Sequence, residues 1–118
     1  MARNHKRCYV RNVLSHFTAY LAERSPDACR VKLAGQFDFS GRELADEVLA
    51  SVNGASKIVL DLSELEFIDS MGIHFVVTAH ERALAAGGEF TIVRGGPQVE
   101  RVFNLVGLDD VLPFADAP

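Results

Sequence analysis

The run Lys57-Ile58-Val59-Leu60-Asp61-Leu62 limits the fold more than any other part of the chain. Its apolar centre is continuous rather than alternating, as expected of an interior strand covered on both faces. Helical patterns stand on either side of it. Upstream, Ser40-Gly41-Arg42-Glu43 has the form of a capping box, with Ser40 as N-cap and Glu43 reaching back. Leu44, Ala45, Val48, Leu49 and Val52 continue as an apolar helical face, and Asn53-Gly54 ends it. Downstream, the pattern predicts a helix from Ser70 to about Ala86, stopped by Gly87-Gly88, and then a strand at Phe90-Thr91-Ile92-Val93. Gly95-Gly96-Pro97 opens a last helix, with Pro97 suited to its first turn. Its face is Val99, Val102, Phe103 and Val106, and Gly107 closes it. Val111-Leu112 reads as a short edge strand, because Pro113 cannot donate to a central ladder.

The first third of the chain carries less even signals. Cys29-Arg30-Val31-Lys32-Leu33 alternates apolar with charged, the period of a strand with one wet face, and Ser25-Pro26-Asp27 before it is turn chemistry. Phe17 to Ala22 can pair with that strand as a hairpin. Val10, Val13, Leu14, Phe17 and Leu21 also fit a helical stripe, and periodicity alone slightly favours the helix. The sum is an α/β sandwich: a mixed, mostly parallel sheet of four to five strands, an antiparallel hairpin at its start, and about three main helices. With 118 residues there is material for one core, placed at residues 17–118 after a basic extension at 1–16.

Charge narrows the function classes. Residues 1–16 hold Arg3, Lys6, Arg7 and Arg11 and no acid, which leaves eight basic against sixteen acidic residues for the remainder. An acidic body is a poor nucleic-acid surface, since phosphate binding needs clustered Lys and Arg. Cys8 and Cys29 make neither a metal-ligand pair nor a disulfide framework, and no cofactor motif appears. No apolar run approaches the roughly 20 residues that span a bilayer, and the N-terminus lacks the form of a signal peptide, so a cytoplasmic protein is expected.

The chemistry gathers at Phe67-Ile68-Asp69-Ser70-Met71-Gly72-Ile73-His74-Phe75, where a strand gives way to a helix at the carboxyl end of the sheet. Asp69 or Ser70 can serve as N-cap there, which requires no further function. Alternatively the Ser70 hydroxyl is a phosphorylation site, at a helix end suited to negative charge. A helical wheel puts Ile73, Val76, Val77, His80 and Leu84 in one stripe, with His80 as a hydrogen-bonded core histidine. Met71 and Phe75 then fall on the other side, either as an exposed apolar pair beside Ser70 or covered by another part of the chain such as the N-terminal segment. Hydrolysis fits badly: Asp69 adjoins the serine rather than orienting His74, and no G-x-S-x-G elbow is present. Gly95-Gly96-Pro97 lacks the lysine and spacing of a P-loop.

Taken together, Gly35-Gln36-Phe37-Asp38, Ile58-Val59-Leu60-Asp61-Leu62-Ser63, Phe67-Ile68-Asp69-Ser70-Met71-Gly72-Ile73, Gly87-Gly88 and Val102-Phe103-Asn104-Leu105-Val106-Gly107-Leu108 resemble the STAS domain. The likeness spans about residues 17–114 and is strongest to the bacterial anti-sigma-factor antagonists. It implies a strand at Phe17 to Ala22 and a non-enzymatic regulator that binds an anti-sigma factor with serine kinase activity. It further implies that Ser70 is the phosphorylated residue, that phosphorylation ends binding, and that a separate phosphatase restores it. The resemblance implies that Asp38, Ser63 and Asp69 lie near the switch; with the helix face added, Asp38, Asp69, Ser70, Met71, Gly72, His74 and Phe75 are expected to form the partner surface. Met71 departs from the small residue common after the switch serine. No basic residue stands beside Ser70 in the local sequence. STAS domains also serve as non-switching scaffold subunits of stress-signalling or lipid-transport complexes, in which Ser70 would be only a helix cap.

Overall fold

The computed structural model describes residues 13–14, 16–25, 27–52 and 54–115. In chain order the elements are β1 (Val13–Leu14), β2 (Phe17–Arg24), β3 (Ala28–Phe37), a single 3-10 turn (Phe39–Gly41), α1 (Arg42–Ala50), β4 (Lys57–Ile68), α2 (Ser70–Ala85), β5 (Glu89–Val93), α3 (Pro97–Leu105) and β6 (Phe114–Ala115). The N-terminal ambiguity resolves as a strand. Phe17, Ala19 and Leu21 are buried, whereas Thr18, Tyr20 and Ala22 between them are half-buried. β2 pairs antiparallel with β3 from Phe17↔Gly35 to Arg24↔Cys29, and β1 adds antiparallel to β2. Part of the expected extension therefore belongs to the sheet: Val13 pairs with Thr18, and the His16 carbonyl accepts the Gln36 amide at 2.8 Å. Val10 of the competing helical stripe, Cys8, Pro26 and Asn53 lie outside the described residues.

The six strands follow one another in sequence order, and every pairing from β3 to β6 is parallel. Each parallel pairing needs a crossover, and right-handed crossovers stepping the same way along a sheet leave their helices on one face. The packing shows this. Phe17 stacks on Phe37 with centroids 4.7 Å apart, Phe37 meets Phe75 of α2 edge-on at 5.4 Å, and Phe103 of α3 meets Phe114 edge-on at 5.2 Å. All lie on the face that carries Val31, Leu60 and Ile92. Arg30, Lys32, Val59, Thr91 and Val93 occupy the other face and are half-buried. The expectation of two covered faces for β4 is thereby corrected. Asp61 is buried on the far face by an ion pair, with Arg30 Nη1 2.6 Å from its carboxylate, rather than by a second apolar layer.

β4 also runs six residues past its expected end at Leu62. The ladder to β3 steps from Lys32↔Asp61 to Ala34↔Glu64, and again from Gly35↔Leu65 to Gln36↔Phe67. Each step leaves an extra residue in β4, a bulge. Buried residues consequently recur every third position, at Leu62, Leu65 and Ile68, a spacing that does not read as a strand. Asp61 holds the first bulge, accepting the Ser63 amide at 2.8 Å. Burial pushes its carboxyl up, but the Ser63 hydroxyl and amide and the Arg30 guanidinium outweigh that and hold it below the ordinary range.

The last edge differs from expectation as well. Leu112 turns into the core and Val111 into solvent, and the strand is formed by Phe114 and Ala115 paired with Ile92 and Val93. Pro113 takes part as an acceptor only, receiving the Ile92 amide at 3.0 Å. Gly87 and Gly107 follow α2 and α3 with φ of 78°, as the sequence predicts. On α3, Val99 and Phe103 are fully buried, while Val106 is exposed rather than part of the packed face.

Candidate functional site

The site lies where β3 and β4 end side by side. Phe37 pairs with Ile68, and each strand is followed by an aspartate in extended conformation, Asp38 (φ −116, ψ −172) and Asp69 (φ −107, ψ −174). Each aspartate caps what comes next. Asp38 Oδ1 accepts the Ser40 amide at 3.0 Å at the head of the 3-10 turn. Asp69 Oδ1 accepts the Gly72 amide at 3.0 Å at the head of α2, and its Oδ2 accepts the Phe39 amide at 3.1 Å. One carboxylate thus ties the two corners together.

Glycine occupies the third position after each aspartate because the corner presses on the core there. A Cβ on Gly41 would stand 2.7 Å from Cδ2 of Phe17, and one on Gly72 2.6 Å from Cγ1 of Ile68. The chain therefore writes the same corner twice, as Asp38-Phe39-Ser40-Gly41 and Asp69-Ser70-Met71-Gly72. The capping box read at Ser40 does not form: Gly41 is the N-cap of α1, without a side-chain bond. Asp38 takes the capping role one turn earlier, because a carboxylate at the strand end reaches the first free amide.

The two hydroxyls differ. Ser40 donates to Asp38 Oδ1 at 2.6 Å and lies 3.3 Å from Nε2 of His16. That hydrogen bond, ahead of those from the Ser40 amide and His16, holds the Asp38 carboxyl below its usual range. Ser40, His16 and Asp38 make no relay, since hydroxyl and carboxylate both meet the same imidazole nitrogen. The Ser70 hydroxyl is exposed and has no hydrogen-bond partner among the described residues. Capping α2 falls to Asp69, so the reading of Ser70 as the cap is corrected.

Of the residues expected at the partner surface, Asp38, Asp69 and Met71 are half-buried, Ser70 and His74 are exposed, and Gly72 is buried in the corner. Phe75 is not available: it is 1% exposed, edge-on to Phe37, with the Arg42 guanidinium 5.7 Å over its ring. The wheel failed because it centred on large apolar side chains. Gly72, Ala79 and Ala83, which allow the closest approach, set the buried arc of α2 instead. Leu84 falls outside it at 60% exposure, and His80 is half-buried with its ring 5.7 Å from that of Phe90. His80 has no hydrogen bond from its ring among the described residues, contrary to expectation. Ser63 lies six residues before Asp69 along extended strand, on the order of 15–20 Å away. It serves the bulge rather than the corner.

The sequence reading missed two further residues here. Phe39 is 73% exposed directly beside Asp69, and an aromatic between a strand-ending aspartate and a serine is the signal that could have found it. Arg42, read only as part of a capping box, places Nη1 3.2 Å from Nδ1 of His74, one helical turn from Ser70. Among the described residues, no group of three or more His, Cys, Asp or Glu could hold a metal ion, and no helix is long and apolar enough to cross a membrane.

A strand-end aspartate, a helix head with a spare hydroxyl and a one-sided helical layer invite comparison with known families. A family model described as Mlab, STAS domain matches residues 21–113. The chain belongs to the STAS domain family. Among curated relatives, an anti-sigma F factor antagonist of Paenibacillus polymyxa is 28% identical over 90 residues, covering 73% of this chain and 76% of that protein. A Thermotoga maritima protein named provisionally as an anti-sigma factor antagonist is 36% identical over 63 residues, 53% of this chain and 56% of that protein, so this match spans little more than half of the relative. The Bacillus anti-sigma factor antagonist SpoIIAA, solved in unphosphorylated and phosphorylated forms, superimposes with TM-scores of 0.70 and 0.65. It is 20% identical, with 84% of this chain and 89% and 92% of those chains covered. That likeness establishes the STAS fold.

Proposed function

We propose that this STAS domain is an anti-sigma factor antagonist that works by partner switching in the cytoplasm, without catalytic activity of its own. In this reading the unmodified protein binds an anti-sigma factor that is also a serine kinase, and so frees the sigma factor. The kinase phosphorylates Ser70, the complex parts, and a phosphatase returns the domain to its binding form. The observation that carries the reading is the Ser70 hydroxyl: exposed, unbonded among the described residues, and relieved of capping by Asp69. The names of the relatives supply the partner class.

The surrounding surface has the make-up of a binding patch. Phe39 is an exposed aromatic anchor beside Asp69, and Met71 and His74 follow Ser70 on α2. Phosphorylation adds roughly −1.5 to −2 charges in its middle. Closing an interface over that charge costs several kcal/mol, and about 3 kcal/mol is already more than a hundredfold in affinity.

A direct titration tests this. Phosphorylated and unmodified protein are each titrated with the anti-sigma factor encoded in the same genome, and a loss of more than about a hundredfold on phosphorylation is expected. Ser70→Ala should bind and resist phosphorylation, and Ser70→Glu should bind weakly. Equal affinity of the two forms would refute the switch.

A further inference from the structure

Resting on the reading of Ser70 as the modified residue, we propose that Arg42 is the receptor for the Ser70 phosphate within the same chain, with His74 as the second donor. The local sequence shows no basic neighbour, but the fold brings one. α1 and α2 start from adjacent strand ends, and Arg42, the first residue of α1, reaches across to His74 with Nη1 3.2 Å from Nδ1. His74 is at i+4 from Ser70, so their Cβ atoms are about 5–6 Å apart, and helical side chains lean toward the N-terminus, here toward Ser70.

The guanidinium is poised rather than consumed. Its Nε pairs with Asp46 at 3.2–3.3 Å and its plane lies over the Phe75 ring, while Nη2 has no hydrogen bond among the described residues. A phosphate dianion accepts two parallel bonds from a guanidinium fork, an arrangement that a histidine nitrogen cannot match. The charged and titratable groups facing the position are Arg42 and Asp46 from α1, His74 from α2, and Asp38, Asp69 and His16 from the two corners. The carboxylates of Asp38 and Asp69 are engaged on amides of the corners. Arg42 is thus the permanent cation that a phosphate would meet. The consequence is regulatory: the phosphorylated form is held by the domain itself, folded against α1, instead of tolerating a bare dianion.

The test needs neither kinase nor partner, so its outcome is independent of whether partner switching occurs. Phosphoserine is incorporated genetically at position 70, and the second ionisation of the phosphate is followed by phosphorus NMR as pH is varied. In the wild-type sequence the midpoint should lie roughly one pH unit below that of a phosphoserine peptide, because an adjacent cation favours the dianion. Arg42→Gln should return it most of the way, Arg42→Lys should keep part of the shift, and His74→Gln should move it less than Arg42→Gln does. Should Arg42→Gln fail to fold, Arg42→Lys and the guanidinium proton shifts of the wild-type protein on phosphorylation decide instead. A midpoint equal to the peptide's, or guanidinium signals unmoved by the phosphate, overturns the proposal.

Discussion

Asp38-Phe39-Ser40-Gly41 and Asp69-Ser70-Met71-Gly72 are the same corner built at the ends of two neighbouring strands, and they differ in what their hydroxyl does. At the first corner, Ser40 hydrogen-bonds the capping aspartate and the chain makes only one 3-10 turn before α1. At the second, the aspartate alone caps a helix of 16 residues and the serine hydroxyl is left over. The lesson is that a serine after a strand-end aspartate is not by itself a free hydroxyl. Its availability depends on its offset: one residue after the aspartate it stands on the first turn facing outward, and two residues after, it folds back onto the carboxylate.

The largest effect expected around this comparison concerns the wall behind both corners. Phe75→Ala empties a fully buried site against Phe37 and should cost about 3–5 kcal/mol in chemical denaturation. Phe39→Ala should leave stability within about 0.5 kcal/mol but weaken partner binding at least tenfold. If Phe75→Ala proves as stable as wild type, the wall is not shared core. If Phe39→Ala binds normally, the first corner is outside the interface.

Next come the caps. Asp69→Ala removes bonds to both Gly72 and Phe39 and should lower stability by about 1–2 kcal/mol. Asp38→Ala, which unseats a single turn, should have a smaller effect. Thermal unfolding of the two variants side by side would reverse the assigned hierarchy if Asp38→Ala were the worse.

The smallest effects separate the two serines. Ser70→Ala should melt within the error of wild type, since its hydroxyl makes no bond to lose among the described residues. Ser40→Ala should raise the Asp38 midpoint toward the ordinary 3.8, because the Ser40 hydroxyl is the largest cause of its depression. The sign follows. A carboxyl depressed by folding stabilises the fold above its unfolded value and loses that contribution as pH falls through its folded value, so Ser40→Ala should flatten the acid side of the stability profile below about pH 4. Carboxyl-carbon NMR titration reports the Asp38 midpoint directly, and an unchanged value would show that His16 or the amide holds it instead.

Much of the fold was open to sequence reasoning because its punctuation is local. Gly87 and Gly107 close helices through their own backbone freedom, and Pro97 starts one through its fixed φ, whereas α1 ends at Ala50, before the expected stop at Asn53-Gly54. What failed depended on long-range packing. The bulges at Ser63 and Glu66 are set by pairing to β3, so the spacing of Leu62, Leu65 and Ile68 could not be recognised as a strand. The face of α2 was misjudged because Gly72, Ala79 and Ala83 look neutral in a hydrophobic wheel yet mark closest approach. At the site, the position of Ser70 on the head of a helix was legible. Arg42, which meets His74, and Phe39, which meets Asp69, come from a segment some thirty residues earlier, and only the adjacency of β3 and β4 reveals them.

The paired bulges bear on how such a chain can vary over evolutionary time. A core strand ordinarily resists gain or loss of a residue, since everything beyond the change slips out of register. β4 has two positions where one residue is surplus to the ladder. Deleting Ser63 or Glu66 would straighten the strand locally while Ile68 stayed opposite Phe37, and Asp69 and Ser70 would remain where they are. The same deletion at Val59 or Leu60 would draw the whole corner back by one residue and pull Asp69 away from the Phe39 amide. Length changes just upstream of this site are therefore expected to gather at the two bulges, and the strand can drift in length while the serine holds its place.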